Sequence, residues 1–76
     1  MTNKLRILYL NQAADLATLG EAVERERSEL KKLVNRGVSY DDPEMLRAFE
    51  RFARADGEWR RLEEEHLKLR ERLGIR

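Results

Sequence analysis

Gly37 and Pro43, the only proline of the chain, bracket a short polar segment that divides the sequence into two long halves. Glycine readily takes the left-handed backbone conformation that ends a helix, and proline is favoured in the first turn of one. Asp42 precedes Pro43 and is a good N-cap residue, because its carboxylate accepts hydrogen bonds from free backbone N–H groups. The segment therefore predicts a helix over about residues 3–36, a turn over about residues 37–42 and a second helix over about residues 43–73.

Each predicted helix carries a mainly apolar stripe whose members are separated by steps of three and four residues. Such a stripe runs along one side of a helix and is typical of a coiled-coil seam. Because the connection is short, the helices should run antiparallel, and folding about Ser39 places the two stripes against each other. We call the two stripes together the seam. Its members are Leu5, Tyr9, Gln12, Leu16, Leu19, Val23, Glu26, Leu30 and Leu33, then Met45, Ala48, Phe52, Ala55, Trp59, Leu62, His66, Leu69 and Leu73.

The polar members of the seam predict specific neighbours. Gln12 falls opposite His66, and its amide can pair with either tautomer of a neutral imidazole. A role for His66 in the seam is favoured over one as metal ligand or general base. Glu26 falls opposite an aromatic ring, so we expect its carboxylate to reach toward solvent or toward Arg51, or to face something outside this chain. Folding about Ser39 also predicts that Trp59 packs beside Gly20.

Composition excludes several classes of function. The 76 residues form one domain at most, so residues 1–76 are expected to be a single hairpin domain. The 16 basic residues balance 15 acidic ones, whereas nucleic-acid binding favours a basic excess. There is no cysteine and one histidine, so we expect neither a metal site nor a cofactor. No apolar run approaches the roughly 20 residues that cross a bilayer, and we expect a cytoplasmic protein without a membrane partner.

A second apolar face lies on the first predicted helix, away from the seam. A helix that is apolar on all sides is normally buried, and a lone hairpin can cover only one of those sides. We therefore expect this face to bind a protein, most simply a second copy in a homodimeric four-helix bundle; a foreign partner is the alternative. A smaller group near the bend, Val34, Val38, Leu46 and Phe49, is expected to form a local cap. The partner-binding face consists of Ile7, Leu10, Ala14 and Ala17.

The bend region, residues 26–46, contains a pattern made by Leu30, Leu33, Val34, Gly37, Asp42, Pro43, Glu44 and Leu46. This pattern resembles the bend region of the small sporulation-control aspartyl-phosphate phosphatases. Members of that family are two-helix hairpins that remove the phosphoryl group from a response regulator. Their signature on the second helix is Ser-Gln-Glu-Leu-Asp; here residues 49–53 read FERFA, and residues 52–56 read FARAD. The resemblance implies a hairpin fold, and its activity would fall to Asp56 alone.

Three functions follow as hypotheses. The first is a small non-enzymatic regulatory or adaptor protein that acts through helix-mediated protein–protein interaction. The second, from the resemblance, is a phosphatase of a phosphorylated response regulator. The third is an architectural or phage-encoded coiled-coil assembly protein. No catalytic residue is expected unless the second holds, in which case Asp56 is the candidate.

Overall fold

In a computed structural model, which describes residues 2–75, the chain is a hairpin of two helices, α1 (Thr2–Asn35) and α2 (Pro43–Leu73). The helices pack lengthwise into a rod whose Cα atoms extend over 53 × 18 × 15 Å. The predicted all-α hairpin is confirmed. Helix α2 has the predicted limits, but α1 ends one residue earlier than predicted, at Asn35. Over residues 2–75, neither helix has an apolar stretch long enough to cross a membrane.

The end of α1 is set by Gly37, whose φ of +76° lies in the left-handed region. The reversal lets the Gly37 N–H donate to the Val34 carbonyl at 3.0 Å and the Val38 N–H donate to the Leu33 carbonyl at 3.1 Å. This is the Schellman arrangement, in which backbone bonds satisfy carbonyls left free at a helix end. Arg36 takes part in the turn rather than in the helix because it directly precedes the reversal, although its N–H still donates to the Lys32 carbonyl.

The start of α2 follows from the residues that predicted it. Asp42 has extended backbone angles, and its carboxylate accepts from the Glu44 N–H at 2.8 Å. Pro43 takes the first helical position, where its missing N–H costs nothing. Gly74, with a φ of +70°, ends the helix as Gly37 ends α1. The bend is therefore built from cap chemistry on both of its sides.

The core lies at the bend end of the hairpin. Leu33, Met45 and Ala48 form a buried cluster, with Leu30 and Val38 packed against it. Along the rest of the rod every seam residue is buried or half-buried. The predicted seam is thus the contact surface of the two helices.

The contacts between the helices confirm the register. Gln12 Oε1 lies 3.1 Å from His66 Nδ1, which can donate to it. Arg51 Nε donates to Glu26 Oε2 at 3.2 Å, so this carboxylate reaches sideways out of the seam as predicted. A contact that was not predicted joins Tyr9 to His66, whose rings stack with centroids 4.3 Å apart. His66 is therefore held between an amide and an aromatic ring.

The predicted cap over the bend is wrong for three of its four residues. Val38 packs on the buried cluster, but Val34, Leu46 and Phe49 are 48%, 51% and 42% exposed. These three belong to helices, and their positions on the helix turn them away from the seam. Tyr40, in the turn, is 70% exposed. The bend thus presents apolar side chains to solvent instead of closing over them.

Gly20 gives a test of the seam. A Cβ there would lie 3.6 Å from Trp59 Nε1, an ordinary contact, whereas a Cβ at Gly57 would meet nothing within 4 Å. Gly20→Ala should therefore raise the free energy of unfolding by up to about 1 kcal/mol, the difference in helix propensity. Gly20→Leu should lower it by roughly 1–3 kcal/mol, because the longer side chain overpacks against the indole. Urea unfolding at one fixed chain concentration measures both.

Gly57→Leu is the matched control for Gly20→Leu. It makes the same change in an open stretch of α2, so helix propensity alone should stabilise it by nearly 1 kcal/mol, roughly. Equal stabilisation by the two leucine variants would contradict the packing of Trp59 beside Gly20.

Candidate protein-binding surface

The four residues predicted to bind a partner are all exposed on α1. Ile7 and Leu10 are 58% and 65% exposed, and Ala14 and Ala17 are also exposed. Their helical spacing places them along one side of α1, turned away from the seam. They form a narrow apolar face, which we call the α1 face, over about 15 Å of helix.

A shallow groove of about 290 Å³ opens beside the α1 face, at the end of the hairpin opposite the bend. Leu10 belongs to both surfaces and joins them. The groove extends the apolar surface from α1 across to the end of α2. Its lining residues are Arg6, Tyr9, Leu10, Leu73 and Ile75.

Sequence reasoning missed part of the exposed apolar surface. Leu67 and Ile75 are 47% and 40% exposed at the groove end, and Tyr40 is exposed at the bend. Leu67 carried a usable signal, since it is an apolar residue off the seam in a highly charged stretch. Tyr40 and Ile75 lie outside the helices, so helical periodicity does not place them. Exposed apolar side chains thus gather at both ends of the rod.

Some of the charged side chains of the surface pair with one another. Arg60 Nε donates to Asp56 Oδ2 at 2.7 Å, and Lys68 Nζ lies 3.6 Å from Glu64 Oε1, the latter as the helical spacing predicts. Arg27 pairs with Glu24, and its guanidinium lies 5.7 Å from the centre of the Phe52 ring. Exposed pairs of this kind contribute little to stability. These pairs belong to a charged, solvated surface. The exposed side chains at the two ends of the rod are apolar instead.

The residues with potential for chemistry have structural partners. The Asp56 side chain is 23% exposed and is bound by Arg60. His66 contacts Gln12 and Tyr9 within the seam. Within residues 2–75, no three carboxylate or histidine side chains gather in a way that could hold a metal ion. The arrangement offers contact surfaces more readily than a reaction centre.

Comparison with protein-family models, with curated proteins and with solved structures found no match. The fold and the surface therefore carry the functional argument. They define a two-helix hairpin with an exposed apolar face on α1 and further apolar residues at both of its ends.

Proposed function

We propose that the protein is a small regulatory or adaptor protein that acts by packing a helical face against another protein and catalyses no reaction. The observation that carries this proposal is the exposure of Ile7 and Leu10 side by side on α1. Single exposed apolar residues are ordinary on protein surfaces, whereas a cluster of them is typical of an interaction site. The shallow groove beside Leu10 supports the same conclusion.

The partner that fits the α1 face best is another helix. Ala14 and Ala17 are small, so a second helix can approach α1 closely in the turns that follow the larger side chains of Ile7 and Leu10. A second copy of the chain supplies such a helix, and two-fold dimers are the commonest symmetric protein assemblies. We therefore propose a homodimer of hairpins, arranged as a four-helix bundle, as the active form.

The competing hypothesis is phosphatase activity on a response regulator, for which Asp56 is the candidate residue. Its carboxylate is bound by Arg60 in this structure, so a reaction would first have to break that ion pair. The observations favour the adaptor, because the apolar faces need a partner and the Asp56–Arg60 pair is complete without one.

A phosphorylated receiver domain separates the two hypotheses. We expect the purified chain to leave the rate of phosphate release from such a domain unchanged, and Asp56→Asn to keep both the helical content and the association state of the unmodified chain. The matched control is Glu64→Gln, which also removes one carboxylate from an i to i+4 pair on α2. Faster phosphate release with the unmodified chain, abolished by Asp56→Asn and retained by Glu64→Gln, would replace the adaptor by the enzyme.

A further inference from the structure

The α1 face is too small to hold a dimer together by itself. A stable interface covers about 800 Å² on each partner, roughly an eighth of the 6113 Å² surface of this hairpin. Fully burying a leucine or isoleucine side chain contributes about 1.5–3 kcal/mol, while association costs at least about 4 kcal/mol. A dimer of hairpins therefore needs contacts along much of the rod.

One long side of the hairpin joins the exposed apolar residues at its two ends. On α1, positions 6, 13, 20, 27 and 34 recur every seven residues beside the seam. Three of them lie beside residues of α2: Arg6 lines the groove with Leu73, Gly20 lies against Trp59, and the Arg27 guanidinium lies over the Phe52 ring. Both helices are right-handed and they run antiparallel. The residues one position after each seam residue therefore lie on the same long side of the hairpin in α1 and in α2. We call this side the flank face.

The flank face has large apolar residues near its ends and smaller or charged residues between them. On α1 the apolar residues are Leu10 and Val34, and on α2 they are Leu46 and Leu67. Between them, the members of the α1 row within residues 13–20 have small side chains, while its members within residues 24–31 have long charged ones. The row on α1 is Leu10, Ala13, Ala17, Gly20, Glu24, Arg27, Lys31 and Val34. On α2 the outer row, which recurs every seven residues, is Leu46, Ala53, Arg60 and Leu67, and the residues between it and the seam are Phe49, Asp56, Glu63 and Arg70.

The α1 row and the outer α2 row are each complementary to themselves when reversed. Reversal places Leu10 against Val34 of a second copy and Leu46 against Leu67, so apolar meets apolar at both ends. At every step between the ends a small residue meets a long one. The remaining pairs are Ala13 with Lys31, Ala17 with Arg27, Gly20 with Glu24, and Ala53 with Arg60.

The two rows share one centre, as a single two-fold axis requires. The midpoint of Leu10 and Val34 is residue 22, which is 17 residues before Ser39. The midpoint of Leu46 and Leu67 falls between residues 56 and 57, which are 17 and 18 residues after Ser39. One rotation therefore brings both rows into register at once.

We infer that a second copy of the chain lies antiparallel across the flank face, with the bend of each hairpin against the open end of the other. The inference rests on the proposed self-association and names its interface. It adds Val34, Leu46 and Leu67 to the partner-binding residues. It places Leu10 and Ala17 of the α1 face within the contact and Ile7 and Ala14 at its edge.

Complementary charges introduced at two paired positions test the arrangement. Leu10→Glu and Val34→Lys should each weaken the dimer by about 100-fold or more, because a charge then enters a closed apolar contact. Mixing the two variants should restore association to within about tenfold of the unmodified chain, since Glu and Lys then meet at one contact and the other contacts stay apolar. Sedimentation velocity on each variant and on the mixture gives the populations of monomer and dimer.

The matched control is a mixture of Leu10→Glu with Leu67→Lys. Leu67 lies 28 residues from Ser39 and Leu10 lies 29, so a parallel dimer would bring these two positions together. Rescue by Val34→Lys alone supports the antiparallel contact. Rescue by Leu67→Lys, or by neither variant, overturns it while the unmodified chain still dimerises. A monomeric unmodified chain overturns the proposed self-association itself, so the two failures are distinct.

Discussion

Met45→Ala is expected to lower the free energy of unfolding by about 2–5 kcal/mol. Met45 is 0% exposed and lies between Leu33 and Ala48 in the buried cluster. Truncation removes most of its apolar volume, and two helices joined by a short turn have little freedom to collapse around the cavity. Since small domains are stabilised by only about 5–15 kcal/mol in total, this one change should remove a large part of the stability. Urea unfolding followed by circular dichroism measures it.

Met45→Leu is the control for the loss of volume. It nearly conserves the size of the side chain and should cost less than about 1.5 kcal/mol. If Met45→Ala unfolds at the same urea concentration as Met45→Leu, the cluster at the bend does not hold the hairpin together.

Leu10→Glu should abolish self-association while leaving the chain helical. Glutamate is a good helix former, and Leu10 is 65% exposed, so the single hairpin loses little stability. In the dimer, the same position would place an unpaired carboxylate in a closed apolar contact, which is strongly unfavourable. Light scattering after size-exclusion chromatography gives the mass, and circular dichroism gives the helical content.

Leu8→Glu is the matched control for this surface. Leu8 is also an exposed aliphatic residue near the start of α1, at 46%, but its position beside the seam is on the opposite side from the flank face. We expect Leu8→Glu to associate like the unmodified chain. Equal loss of association in both variants would show that added negative charge, rather than the flank face, is responsible.

The hairpin was predictable because each step depends on local chemistry. Gly37, Asp42 and Pro43 determine where the chain turns through backbone conformation and caps, whatever the distant residues do. The seam then follows from helical periodicity, and a short turn leaves one register. For the same reason the neighbours Gln12 and His66 could be named in advance.

Other features depend on geometry that periodicity does not contain. The stacking of Tyr9 on His66 requires the direction of two side chains, which the spacing of Cα positions leaves open. The exposure of Val34 and Phe49 at the bend depends on how far each helix side turns away from the other helix. The earlier end of α1 shows the usual difficulty of placing the last residue of a helix.

The candidate surface was only partly predictable. The α1 face was visible as a second periodicity on a helix that already had a seam. The groove was not, because it is closed by Ile75, which follows α2 and has no helical register with Leu10. The flank face likewise requires knowing that rows on the two helices share one side of the rod.

Sedimentation equilibrium of the unmodified chain at micromolar concentrations tests the central claim most directly. The apolar faces of a lone hairpin are left uncovered, so the account predicts a mass of twice the 9.0 kDa chain. A mass of one chain across that concentration range would contradict the self-association on which the proposed function rests.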